Sequence, residues 1–443
     1  MDSRKFRRVM SSFIVVWAFQ VFLVFPVCGA VVTDGDVDES HIGNTGPGHM
    51  WITDGSVYGP SQTMILGNGT GKGVLTIHGP GSTWDGLGHN LILNGNRSWL
   101  HVLDGGTMQV NAMEIAVAVG SVASVRLQGE GARLSTGTKW SFDGGYVNVG
   151  SANISSDTNG GRAMLTLSGG ATLETGRLRI GTNGRVGIKV TGDNMLTMYG
   201  WYNSSNSGKL LLMADNTLAS GTYKPIKSVL TSGNTGFVSF GGSWINDSYG
   251  VGHFTVKDAL TAEAGEKFAV NWGDRAVITD SATGQELTYS SQWAVYTSQL
   301  QVSFRPVSQA DLDHIQAKDE TYTVLAGWWH SIAVGGAVEA QAMFTLNVGT
   351  GLDVEELVFW QHRVSDNTWV KFSPEVYTYD DDGTLSFISS TLHDRFAQGK
   401  ILYDGFVITG RDAQPIPEPA TIAFLMAGVA GIARKRLRQG HRI

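Results

Sequence analysis

The sequence predicts an all-β protein: an N-terminal parallel β-helix, a solenoid of stacked coils, followed by a β-sandwich-like module and a short hydrophobic C-terminal helix. Three observations carry this. Glycine supplies 58 of 443 residues, about twice the usual ~7%, and charged residues are 16% against a usual ~25%, which suits turn-rich strands and not helical bundles. In the first half an apolar-x-apolar-x-Gly pattern recurs with a period in the twenties, the range of solenoid repeats. In the last third, alternating segments separated by turn residues continue without that period.

Residues 1–30 read as a signal peptide. Arg4, Lys5, Arg7 and Arg8 make a basic n-region, Phe13 to Val27 an apolar h-region, and Cys28-Gly29-Ala30 a small-residue stretch with cleavage expected after Ala30. The only cysteine, Cys28, leaves with this segment, and Val27 stands where a lipoprotein signal would place a small residue. A mature chain without thiols must be held by backbone pairing and packing.

Residues 31–256 form the predicted solenoid with its cap. The pattern appears as Leu75, Ile77, Gly79; Val125, Leu127, Gly129; Leu165, Leu167, Gly169; and Ile188, Val190, Gly192, with weaker copies at Trp51, Thr53, Gly55 and at Leu100, Val102, Gly105. From Trp51 the starting positions are 24, 25, 25, 40 and 23 residues apart, the long interval holding an insertion around Asn148 to Gly161. A second short strand completes each unit, as in Leu91 to Leu93 and Leu178 to Ile180. Alternation predicts Leu75 and Ile77 stacked beneath Leu100 and Val102 inside the coil, with Thr76 and His101 outside. A meander of antiparallel hairpins shares these signals. Lys209 to Val256 reads as last coils or a cap.

Residues 257–320 read as a β-rich junction, with strands at Phe268 to Trp272, Trp293 to Tyr296 and Leu300 to Phe304, and a capping box at Ser308-Gln309-Ala310-Asp311 that opens a short helix. Whether Asp258 to Pro306 belongs to the solenoid or to the final module stays open at this level. Residues 321–412 read as the sandwich-like module, with strands over Ala342 to Val348, Glu356 to His362, Thr368 to Phe372, Gly383 to Ile388 and Ile401 to Thr409. Its dense aromatics, among them Trp328, Trp329, Phe359, Trp360, Trp369 and Phe372, are expected in the core.

In residues 413–443, Pro415-Ile416-Pro417-Glu418-Pro419 precedes the apolar stretch Ala420 to Ala433, which runs into Arg434-Lys435-Arg436-Leu437-Arg438. Those fourteen apolar residues are fewer than the roughly 20 of a spanning helix, although flanking residues extend the segment and arginines snorkel, so the basic end stays cytoplasmic. This order of elements resembles the PEP-CTERM sorting signal. Passages such as Gly73-Val74-Leu75-Thr76-Ile77 and Leu165-Thr166-Leu167-Ser168-Gly169-Gly170 resemble the repeat of autotransporter passengers and PEP-CTERM proteins, over about residues 50 to 200. The tail resemblance implies an exosortase-type membrane protease as partner, recognising Pro417, Glu418 and Pro419 and removing the apolar and basic segment behind them. It also implies a bacterial, exported protein that is anchored in the inner membrane before processing and then reaches the cell surface or the extracellular matrix.

Setting aside nine basic residues at the two ends, and Asp2, leaves 23 basic against 38 acidic residues in Val31 to Pro419, a net charge near −15. Such a body excludes nucleic acid as partner and allows cation-bridged contact with acidic polymers. Catalytic acids would have to be paired across a sugar, but Asp85, Asp104, Glu114, Glu130, Asp143 and Glu174 do not recur at one rung position. Asp380-Asp381-Asp382-Gly383 lacks the alternating ligands and distant Glu of a calcium loop. It reads as a hairpin turn in which Asp382-Gly383 takes positive φ, with calcium binding left undecided. The eleven histidines are scattered and show no zinc spacing. No catalytic, cofactor or metal residue is assigned. The functional expectation is a non-enzymatic surface or matrix protein with a structural or adhesive role linked to exopolysaccharide. The alternative is a carbohydrate-binding or carbohydrate-active β-helix protein.

Overall fold

In the structure, a computed structural model, residues 30–411 are described except 138–144, 152–159, 205–207, 232–236, 247–251, 272, 292–298, 305–307, 317–321, 334–340 and 390–402. The signal peptide up to Gly29 and the hydrophobic C-terminal segment therefore lie outside the described residues.

Alternation builds the first half. The strands Pro47–Thr53, Lys72–His78, Arg97–Leu103, Val122–Gln128, Arg162–Ser168, Gly184–Lys189, Lys209–Met213 and Phe237–Phe240 pair in parallel as one face of a coil. Met50, Leu75, Leu100, Val125, Leu165, Val186 and Leu210 form one inward column, at 2% exposure or less. Ile52, Ile77, Val102, Leu127, Leu167, Ile188 and Leu212 form the next column. Like residues stack on like, so each coil covers the apolar floor of its neighbour. Two repeat copies fall in a different register from the one their glycines suggested. Met50 and Ile52, not Trp51 and Thr53, align with Leu75 and Ile77, and Val186 and Ile188 align with Leu165 and Leu167. In the first copy the one-residue slip reverses the face, so Trp51 lies outside, stacked on His49 at 3.5 Å; in the second the two-residue shift keeps Ile188 inside but moves it to the second column.

The rest of each coil belongs to an eleven-stranded sheet that folds around a corner. Thr83–Leu93 shows how. Its first part, Thr83 to Gly86, pairs with Thr107 to Val110, its last, Asn90 to Leu93, pairs with Ala112 to Ile115, and the register shifts between them. Each coil thus has three strand segments instead of two, because pairs as short as Val57–Tyr58 also contribute. Left-handed backbone turns the first corner, at Asp104 (φ 47) and Gly105 (φ 86). At the ends, Ala30–Gly35 pairs antiparallel with Pro47–Thr53. A three-stranded antiparallel sheet of Gly221–Tyr223, Gly252–Val256 and Ser243–Asn246 brings Phe254 and Val256 over the last core layer, closing an otherwise open end.

The second half is a sandwich of two six-stranded sheets. One has the order Leu260–Glu263, Arg275–Asp280, Gln285–Ser291, Ala342–Asn347, Thr384–Ile388, Val376–Tyr379. The other runs Phe268–Ala269, Gln299–Ser303, Thr323–Ala333, Tyr403–Gly410, Val358–Arg363, Thr368–Phe372. The segment 257–320 is therefore no junction: its strands enter both sheets, and only the helix Gln309–Gln316 stands apart. What the sequence does not show is their membership, because the strands that join them to the sandwich, Ala342–Asn347 and Thr323–Ala333, lie beyond the helix. Trp328, Phe344, Phe387 and Phe406 fill the interior, with Phe344 and Phe406 centroids 4.9 Å apart. The capping box forms, the amide of Asp311 donating to Ser308 Oγ and that of Ser308 to an Asp311 carboxylate oxygen, both at 3.2 Å. From that helix Ile315 reaches Trp360, Trp369 and Val407 on the outside of the second sheet.

Candidate functional site

Of the residues assigned to sorting, Pro417, Glu418, Pro419, Arg434, Lys435 and Arg436 lie outside the described residues, as does Asp143. Ala30 opens the first strand, opposite Thr53. Among the described residues no helix is long and apolar enough to cross a membrane. The repeat acids do not converge. Glu114 accepts from Tyr146 Oη at 2.6 Å, and Glu174 pairs with Arg133 at 2.8 Å. Asp104 lies 3.3 Å from His78 Nε2 and stands beside Asp381 of the sandwich, whose carboxyl pKa it helps raise.

That contact is part of a seam no sequence spacing announces. The outward side of the first solenoid face is covered by the first sandwich sheet, chiefly by Val376–Tyr379 against Arg162–Ser168 and Gly184–Lys189. At one end the seam is apolar, where Leu211, Met213 and Phe240 pack on Met343, Val376 and Ile388. Gly187 is required there, since a Cβ would stand 2.4 Å from Val376 Cγ2. Along the rest, basic solenoid groups face acidic or carbonyl groups of the sandwich. Lys72 Nζ lies 2.7 Å and His101 Nε2 3.3 Å from the Glu355 carboxylate. Arg126 donates to the Tyr379 carbonyl, Arg162 to the Pro374 carbonyl at 3.0 Å, and Arg185 to Glu375. Lys189 bridges Asp215 of the solenoid and Asp380 of the sandwich.

Burial and pairing set the charges of this seam. Burial would raise the Glu355 carboxyl, but the His101 hydrogen bond and charge and the Lys72 ammonium outweigh it and hold it at about 2. Burial works against the Lys189 ammonium, yet the charges of Asp380 and Asp215 overcome it and raise its pKa. Asp381 is raised by burial and by Asp104 beside it. His49, at the seam's edge, is pushed down to about 4, mainly by burial.

The Asp380 to Gly383 turn joins Val376–Tyr379 to Thr384–Ile388, Gly383 donating its amide to the Asp380 carbonyl at 3.0 Å. Only Gly383 takes positive φ, at 84°, and Asp382 does not, in contrast to the sequence expectation. Asp380 is held by Lys189, and Asp381 accepts from Gln128 Nε2. Among the described residues no three His, Cys, Asp or Glu side chains are grouped to hold a metal ion. His362 is held at both ring nitrogens, 2.7 Å from Asp404 Oδ1 and 3.0 Å from Asn367 Oδ1, beneath Trp329 and Trp369.

Residues 415–438 match the PEP-CTERM protein-sorting motif. The chain is a PEP-CTERM protein. No curated protein and no solved structure matches it. The PEP-CTERM signal marks the chain for export and for an exosortase, a membrane protease, with the C-terminal segment as a transient membrane anchor. The body delivered by that signal is the docked pair of solenoid and sandwich.

Proposed function

We propose that this PEP-CTERM protein is a non-enzymatic component of the cell surface or extracellular matrix, released from its anchor by cleavage near Pro417 to Pro419, with a structural or adhesive role linked to exopolysaccharide. The observation that carries the reading is the sorting motif at 415–438 behind an all-β body. Two features support it. Two acids of the seam face bases across it, Glu355 facing Lys72 and Asp380 facing Lys189. Three of the module's tryptophans are buried, Trp328 inside the sandwich and Trp360 beneath the helix at 1% and Trp369 beside it at 3% exposure. Such a body suits a stiff spacer whose strands resist unfolding outside the cell.

Fractionation of the native host tests this. Gentle removal of the matrix polysaccharide should carry the protein with it. Retention of the full-length chain in the membrane fraction, unchanged by that treatment, contradicts the reading.

A further inference from the structure

Among the described residues three asparagines stand directly before a glycine: Asn68-Gly69, Asn94-Gly95 and Asn183-Gly184. A fourth such pair begins at Asn159, outside the described residues. The side-chain carbonyl carbon of an asparagine is open to attack by the amide nitrogen of the next residue, which closes a five-membered imide. Glycine, without a Cβ, hinders that approach least. Two requirements follow. The glycine nitrogen must be free of an acceptor, and the backbone must have room to turn it toward Cγ.

Of these three pairs the fold meets both requirements at one. The Gly95 amide donates to Ser98 Oγ at 2.9 Å, and the Asn94 side chain is fixed by the Ala118 amide, which donates to its Oδ1 at 2.7 Å. The Gly184 amide donates to the Gly181 carbonyl at 2.9 Å, and a Cβ at Gly184 would stand 2.1 Å from the Val149 carbonyl oxygen. Gly95 and Gly184 are both buried. Asn68 and Gly69, by contrast, are both exposed at a corner of the solenoid. Gly69 has left-handed backbone (φ 56), and beyond its chain neighbours no atom lies within 4 Å of where its Cβ would be. Among the described residues its amide has no acceptor. The Asn68 Nδ2, the atom the reaction would release, donates to Asn44 Oδ1 at 3.0 Å.

We propose that Asn68 is a site of spontaneous modification, converting through a succinimide to aspartate and isoaspartate while the fold protects Asn94 and Asn183. Water is the only co-reactant. Hydroxide takes the Gly69 amide proton, and the Gly69 nitrogen bonds to Asn68 Cγ. The Cγ–Nδ2 bond breaks, and Nδ2 leaves as ammonia with a proton taken from water. A second water then opens the imide at either carbonyl. Either product replaces the amide that donates to Asn44 with a carboxylate. In isoaspartate the chain also runs through Cγ, so the Asn68 carbonyl that accepts from the Gly71 amide at 2.8 Å leaves the main chain. The longer main chain finds no space beside it, since a Cβ at Gly67 would already stand 2.5 Å from Ser98 Oγ. This corner ties the first two coils, the Gly67 amide donating to the Ile42 carbonyl at 2.8 Å and the Asn68 amide to the Gly43 carbonyl at 3.2 Å, and isoaspartate loosens it. The reaction requires no partner and does not depend on the proposed matrix role.

The test stores the freshly purified full mature chain at neutral and at mildly alkaline pH and follows the three pairs by peptide mass mapping with enzymatic methylation of isoaspartate. Asn68 should convert at least about tenfold faster than Asn94 or Asn183, whose glycine amides must first be freed from a buried hydrogen bond. Its rate should rise with pH, as attack by a deprotonated amide requires. In urea, with the fold removed, the three pairs should convert at similar rates. The isoaspartyl chain, separated by ion exchange, should exchange amide hydrogens faster over residues 67–71 than the fresh chain does. Equal rates at the three pairs of the folded chain overturn the proposal, and so does earlier conversion at Asn94 or Asn183. An Asn68 that stays intact in the folded chain while the urea-unfolded chain converts overturns it as well. Unchanged exchange over residues 67–71 in the isoaspartyl chain contradicts the loosened corner.

Discussion

Replacing Lys189 by methionine puts an apolar tip where an ammonium now separates two carboxylates. The Lys189 side chain is 5% exposed, Asp215 2% and Asp380 18%. Methionine keeps most of the stem, so packing changes little and the effect is electrostatic. Breaking a buried pair by removing one partner typically costs about 3–5 kcal/mol. Asp215 is fully enclosed, whereas Asp380 can draw in water, which places the expected loss near the lower end, about 3 kcal/mol. Because Asp215 belongs to the solenoid and Asp380 to the sandwich, the loss should open the seam first. Hydrogen exchange should quicken in Val376–Tyr379 and Gly184–Lys189 while strands of the other solenoid sheet, such as Thr107–Ile115, keep their protection. Neutralising the acids as well, in Lys189→Met/Asp215→Asn/Asp380→Asn, should return much of the stability, since the penalty is the uncompensated charge. A single variant within about 0.5 kcal/mol of the parent, the range of an ordinary surface change, would refute this account of the seam.

Acid should loosen the same seam in two steps. His49 is held at about 4 in the fold against ~6.5 unfolded; the unfolded chain takes the proton first, so stability is full above pH ~6.5 and falls as pH drops toward 4, and His49→Gln should flatten that part of a stability-against-pH curve. Glu355 is held at about 2 against ~4.3 unfolded, so its contribution is present above pH ~4.3 and lost as pH falls toward 2, a slope Glu355→Gln should remove. In the solenoid core, Leu100→Ala should cost about 2–5 kcal/mol by the cavity it leaves, measured by denaturant unfolding, because Leu100 is sealed between Leu75 and Val125.

The inner columns were legible because alternation is a local property: Leu75 and Ile77 declare their face in three residues. Register was harder where an aromatic stood beside the true position, as Trp51 does beside Met50 and Ile52. The extra strand segment of each coil had no marker of its own: Val57–Tyr58 is two residues, and in Thr83–Leu93 it runs without a break into the segment behind it. Phe268–Ala269 and Gln299–Ser303 were visible as strands, Leu260–Glu263, Arg275–Asp280 and Gln285–Ser291 were not, and the membership of all was hidden, since Gln299–Ser303 finds its partner in Thr323–Ala333 only once the sandwich closes. The seam had a weak signal. His101 and Arg126 occupy one outward column and Lys189 the next, basic groups on a face that a lone solenoid would leave to solvent. Nothing in the sequence connects Lys72 with Glu355 or Lys189 with Asp380.

The central claim is that a sorted and cleaved β body reaches the surface or matrix, and the mature C-terminus tests it most directly. Intact mass should be measured on protein recovered from membrane, surface and medium fractions of the native host. The account predicts a terminus close to Pro417 to Pro419 in the surface or medium fraction. A chain still ending at Ile443 and confined to the membrane fraction would contradict it.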